Sequence, residues 1–193
     1  MIQFQIHIAG PPRSGKSTLA RNLKCRLDII GRKTVIVDID ETRAKIFEDS
    51  LPSIGSQLHG LMQFWAYNAV FELRIKDILA SGASPVAIAV YSRPEKVYHR
   101  AKIIADQMGA EFRFIVIEAT SFEEMARRCL KDKSYSDMRD PLNNTAERKS
   151  WEDVASRFKA AYADFKEPHC MIKQGTPEEM AYHAFNFIYT QGA

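Results

Sequence analysis

Residues 10 to 17 read Gly10-Pro11-Pro12-Arg13-Ser14-Gly15-Lys16-Ser17, and this octet decides the fold. It satisfies G-x-x-x-x-G-K-[ST], a loop whose backbone N–H groups close around phosphate oxygens. Its flanks agree with it. Phe4-Gln5-Ile6-His7-Ile8-Ala9 reads as a strand, and Leu19, Leu23, Leu27 and Ile30 recur afterwards as one face of a helix. Gly10 and Gly15 permit the bend that turns successive N–H groups inward. Lys16 reaches the β- and γ-phosphates, Ser17 offers its hydroxyl to Mg²⁺, and the helix N-terminus at Lys16 adds its dipole. Pro11, Pro12, Arg13, Ser14 and Thr18 complete the expected binding stretch. The ligand this spelling predicts is a nucleoside triphosphate with Mg²⁺.

Outward from the loop, strand and helix patterns alternate to the end of the chain. That rhythm predicts a mostly parallel sheet covered on both faces. The expected strands after the first are Thr34 to Ile39, Pro85 to Tyr91, Phe112 to Ile117 and a short His169 to Lys173. The expected helices begin near Glu41 and Gln57, then at Pro94, Ser121, Thr145 and Pro177, with Ser121 and Glu124 spelling a capping box. Lys131 to Asn144 is polar and charged, holds Pro141, and reads as a mobile loop. With its flanks it makes a lid of about residues 121–150.

A length of 193 residues fits one domain, taken as 1–193. No apolar run approaches a membrane span, and Met1 to Ala9 reads as the first strand rather than a secretion signal. Cys25, Cys129 and Cys170 lack metal-binding spacing and read as reduced thiols of a cytoplasmic protein. A net charge of +3 is too small to argue for nucleic acid, although Arg127 to Lys133 is locally basic.

The second informative stretch is Val37-Asp38-Ile39-Asp40-Glu41-Thr42-Arg43. It ends the second strand, where an open α/β sheet places its ligand crevice. Strand periodicity puts Asp38 and Asp40 on the same side, roughly 6.6 Å apart. Asp40, at the mouth, is placed to accept the proton of an attacking hydroxyl. Its position also fits a helix N-cap before Glu41, the less favoured of the two readings. Arg43, one turn on, can steady an acceptor or a transferring phosphoryl group through its planar fork. Asp38, further down, points to a supporting role towards Lys16 or metal-bound water.

A phosphate loop followed by D-x-x-R at the end of the second strand resembles the small P-loop kinases, a group that includes polynucleotide 5′-kinases, zeta-toxin-type kinases and adenylylsulfate kinases. The resemblance runs from Ile6 to Phe165 and takes in Pro94-Glu95-Lys96, Gly109-Ala110 and a lid-like Arg128 to Asp137. It implies a three-layer α/β P-loop fold with a parallel five-stranded sheet and a helical lid. It also implies Asp40 as acceptor-side base, Arg43 on acceptor or phosphate, and Arg128 on the nucleotide. Two departures stand out. Many relatives carry an acid near the end of the third strand, where this chain reads Ala89-Val90-Tyr91-Ser92. Their lid arginine falls here on Lys131 or Lys133, which offer a point charge but no fork.

Acceptor specificity would lie on the Gln57 to Ala80 helix, rich in apolar and aromatic residues. It reads as core with a homo-oligomer contact, or as a stacking surface built on Trp65 or Tyr67. Arg93, His99 and Arg100 follow the third strand and face either an acceptor phosphate or solvent. Two functions stay open: an ATP-dependent kinase acting on a hydroxyl-bearing, small or nucleotide-like acceptor, and an ATP-binding switch or ATPase without kinase activity.

Overall fold

The computed structural model describes residues 2–46, 57–89, 91, 93–131 and 145–190. Five parallel strands form one sheet: β1 (Phe4–Ala9), β2 (Thr34–Asp38), β3 (Ser84–Ala89), β4 (Glu111–Ile117) and β5 (Cys170–Ile172). Their order is β2-β3-β1-β4-β5. From β1 the chain runs to the edge strand β2, returns with β3 into the place beside β1, and then crosses β1 to add β4 and β5 on the other side. The carboxyl end of β1 is the point where the winding reverses, and such a point is where an α/β sheet opens a ligand crevice.

Among the described residues seven helices accompany the sheet: α1 (Lys16–Ile29), α2 (Ile39–Ile46), α3 (Gln57–Ala80), α4 (Pro94–Gln107), α5 (Phe122–Lys131), α6 (Thr145–Ala163) and α7 (Pro177–Thr190). Strand alternation assigns them to layers. Phe4, Ile6 and Ile8 of β1 pack with Leu19, Leu23 and Leu27 of α1 and with Met180, Ala184 and Ile188 of α7. On the opposite face, Phe71, Ile75 and Leu79 of α3 share a cluster with Ile104 and Ala105 of α4. Phe158, Tyr162 and Phe165, in and just beyond α6, join Tyr98 and Phe114 there. The result is the three-layer α/β fold read from the sequence.

The differences are local and have physical causes. The second strand ends at Asp38, and Ile39 and Asp40 already belong to α2. Ile30 does not extend the buried stripe of α1; it is the C-cap and lies exposed, with Gly31 (φ 77°) turning the chain away. Ser121 does cap α5, its hydroxyl accepting the Glu124 N–H at 3.2 Å. The Glu124 carboxylate completes no box, however, and accepts instead from Arg127 and Arg128. α5 meets α6 through a small separate cluster of Phe122, Met125, Ala126 and Trp151. Between these helices, residues 132–144, the heart of the expected lid, lie outside the described residues. No helix among the described residues is long and apolar enough to cross a membrane.

Leu23 has no solvent exposure and sits between β1 and α7. Leu23→Ala should lower unfolding free energy by about 2–5 kcal/mol, as core truncations of this kind do. Urea unfolding followed by far-ultraviolet circular dichroism measures it.

Candidate functional site

The loop of residues 10–15 joins the buried end of β1 to α1, and its shape follows from three backbone constraints. Gly15 adopts φ 98° as the N-cap of α1, a left-handed conformation that favours glycine. Arg13 also has positive φ, at 60°, a strained position for a residue with a Cβ. A Cβ on Gly10 would lie 2.5 Å from Ser14 Oγ, so any larger residue there would have to push that side chain aside. The Ser14 N–H donates to Pro11 O at 3.3 Å, which folds the loop on itself. No side chain caps α1, and no acidic residue occupies its first turn. Its N-terminal N–H groups thus stay available to an anion.

Lys16 is the charge at the centre of this loop. Its ammonium donates to Pro11 O at 2.8 Å. Burial pushes its pKa down to about 8, against the opposing pull of Asp40 and then Asp38, whose carboxylates raise it. Asp38 itself is pushed up from the ordinary carboxylate range, chiefly by burial, although the Asp40 N–H holds it down. All three groups converge on the carboxyl end of the sheet.

α2 fixes Asp40 by short bonds. The Asp38 Oδ1 accepts the Asp40 N–H at 2.9 Å. This corrects both sequence expectations for the pair: Asp40 is neither a strand residue beside Asp38 nor the cap of α2, and Asp38 does the capping. Buried Thr42 donates to Asp38 O at 2.8 Å and accepts from Arg74 Nη1 at 2.9 Å. With its turn locked from behind, the Asp40 carboxylate is left exposed at the crevice.

Two cavities open on this crevice. The first, about 680 Å³, is lined by Arg13 to Thr18, by Arg127 and Arg128 of α5, and by Gly175, Pro177 and Met180 beyond β5. It gathers most of the stretch assigned from sequence; Gly10, Pro11 and Pro12 shape the loop behind it. The second, about 620 Å³, is lined by Asp40 and Arg43, by Trp65 and Tyr67 of α3, and by Arg93, Lys96 and Arg100. Arg100 is paired with Glu72 at 2.6 Å, and His99 lies 3.4 Å from Glu167, outside that lining. Trp65 is 61% exposed, which keeps its ring out of the core.

The second cavity has a wall the sequence did not reveal. Gln5 Nε2 donates to Ala101 O at 2.9 Å, which fixes the amide orientation, and lies 3.1 Å from His7 Nε2. The ring nitrogen facing an amide donor must accept, so the His7 proton sits on Nδ1 and donates to Tyr91 Oη at 2.9 Å. Burial pushes His7 down to about 3, so it stays neutral. Tyr91 thus stands where the relatives' acid was expected. Gln5 and His7 resemble ordinary strand residues in sequence; only the packing of the β1 face against α4 shows their bonding.

No protein-family model matches the sequence, and no curated protein is similar to it. Solved structures share its fold at low identity. The tunicamycin resistance protein of Deinococcus radiodurans superposes with a TM-score of 0.63 at 14% identity, over 98% of this chain and 96% of that one. The APS kinase CysC of Mycobacterium tuberculosis, in complex with AMPPNP and APS, gives 0.59 at 16%, over 98% and 100%. A chain of the Pnkp1/Rnl/Hen1 RNA repair complex gives 0.59 at 19%, over 86% of this chain but 47% of that one. The fold of this chain is that of P-loop kinases.

A lysine whose folded pKa lies near 8, below its unfolded value of 10.5, makes stability depend on pH with a definite sign. Between those values the unfolded chain holds a proton that the folded chain has released, so stability rises with pH. Lys16→Met removes that slope and should be the more stable protein at neutral pH. Denaturant midpoints from pH 7 to 11 check this, and ¹³C resonances of labelled lysine should show one side chain titrating near 8.

Proposed function

We propose that this protein transfers the γ-phosphate of ATP to a hydroxyl group of a small-molecule or nucleotide-like acceptor. The observation that carries the reading is the seam between the two cavities. Lys16 lines the first, Asp40 lines the second, and the two interact electrostatically across the carboxyl end of the sheet. A triphosphate seated along residues 10–18 would end beside Lys16, and an acceptor in the second cavity would bring its hydroxyl to Asp40. The acceptor oxygen then bonds to the γ-phosphorus as the bond to the β,γ-bridging oxygen breaks. The hydroxyl proton passes to the Asp40 carboxylate. Lys16 stabilises the charge developing on the β/γ oxygens, Arg43 orients the acceptor or phosphoryl group, and Arg128 flanks the nucleotide.

The Ser17 hydroxyl, exposed in the first turn of α1 on the first cavity, is a hard oxygen ligand that suits Mg²⁺, with the phosphates and waters filling the rest of its shell. Bound there, Mg²⁺ would supply charge neutralisation on the phosphates. A second reading, a nucleotide-dependent switch, is favoured by one feature: the third strand ends towards neutral Tyr91 instead of an acid.

Three measurements decide. With γ-labelled ATP and a panel of hydroxyl acceptors, Asp40→Asn should cut transfer by roughly 10²–10⁴-fold. Its melting temperature should hold, because the capping bond uses the Asp40 backbone N–H, which asparagine retains. Full activity in that variant removes Asp40 from the chemistry and moves the assignment to the switch. Lys16→Ala should weaken ATP binding or abolish transfer, and unchanged binding and turnover would reject the phosphate site. Finally, bound phosphate raises the Lys16 pKa from about 8, so binding takes up a proton. ATP affinity should therefore fall as pH rises above 8, as calorimetry in buffers of different ionisation enthalpy will show.

A further inference from the structure

We infer that Gln174 is a positioning residue for phosphate binding, acting on the 10–15 loop from the connection between β5 and α7. The inference rests on the nucleotide reading above. Gln174 spends its whole amide on protein partners. Nε2 donates to Glu118 O at 2.6 Å and to Ser14 O at 3.3 Å, and Oε1 accepts from Arg128 Nη2 at 3.1 Å. It does not line the first cavity, so it has no group left to touch a nucleotide.

What it does is orient a peptide plane. In a planar trans peptide the C=O of one residue points opposite to the N–H of the next. Drawing Ser14 O outwards to Gln174 aims the Gly15 N–H into the loop, at the entrance to α1. The neighbouring plane is held the same way: Arg128 Nη1 donates to Arg13 O at 3.0 Å, while the Ser14 N–H is spent on Pro11 O. Arg128 is steadied in turn by Glu124 Oε1 at 2.7 Å. These bonds buttress the loop where Arg13 takes its unfavourable φ of 60° and Gly15 its φ of 98°. A loop so held pays little ordering entropy when an anion arrives, because its donors already face inward. Gln174 is 160 residues from Ser14, so this support exists only because β4 and β5 end beside the loop.

The test separates phosphate positioning from contact with the nucleoside. Dissociation constants for inorganic tripolyphosphate and for ATP, both with Mg²⁺, are compared between the wild-type protein and Gln174→Met, which keeps length and removes all three bonds. The expected result is a loss of about tenfold for both ligands, by the same factor, in a protein that still melts cooperatively. Unchanged tripolyphosphate affinity overturns the inference, whether ATP binding is lost or kept. Should the variant fail to fold, the wild-type protein labelled with ¹⁵N decides: the Gln174 side-chain amide resonances must shift on adding tripolyphosphate, and constancy overturns the claim. A wild-type protein that binds neither ligand overturns the nucleotide reading and this inference together.

Discussion

An ammonium group held largely out of water at the end of the central strand is the constraint on which the site depends. Desolvation of Lys16 outweighs everything the protein offers it: one loop carbonyl and the more distant attraction of Asp40 and Asp38. A half-buried cation so poorly compensated is costly by itself and gains most from an anion brought to it. The sheet order makes this arrangement. β3 lies between β1 and β2, and at its carboxyl end Ala9 pairs with Ala89, two residues with no polar side chain. The carboxylates on β2 and α2 therefore act on Lys16 across a strip of small side chains. They attract it without neutralising it.

The same geometry explains why Asp38 and Asp40 divide their roles. Asp38 has a backbone donor to accept and a helix to start, and burial has pushed its carboxyl up. Asp40 points its carboxylate to the exposed side of the same turn, between the phosphate loop and the second cavity. Thr42 and Arg74 fix that turn from behind, so the placement of Asp40 depends on side chains that line neither cavity.

Much of the fold was legible in the sequence because its signals are local. The glycines of the loop, the leucines of α1 and the apolar runs of β1, β3 and β4 each follow from steric or periodic rules acting over a few residues. The error at Asp40 came from the same source. The expected strand ran one residue too far, to Ile39, and strand spacing was applied to Asp40 as well, because nothing in Val37-Asp38-Ile39-Asp40 says which carboxylate will receive a backbone N–H. Gln174 and the Gln5–His7–Tyr91 chain were invisible for another reason. Their partners lie 160 and up to 96 residues away, and single glutamines and histidines carry no periodic signature.

That neutral chain also sets the field in the second cavity. An acid at the end of β3 would have added negative charge beside Lys16 and raised its pKa. Tyr91 adds none, and His7, fixed as its donor and unable to ionise near neutrality, adds no positive charge at depth. The charge balance of the cavity is then decided at its rim. Glu72 is spent on Arg100, and Asp40 is drawn towards Lys16, whereas Arg43, Arg93 and Lys96 pair with no carboxylate among the described residues. A low-polarity wall beside unpaired cations concentrates their field rather than dispersing it. The rim consequently presents net positive potential around a neutral interior, with the Asp40 carboxylate at the seam beside it.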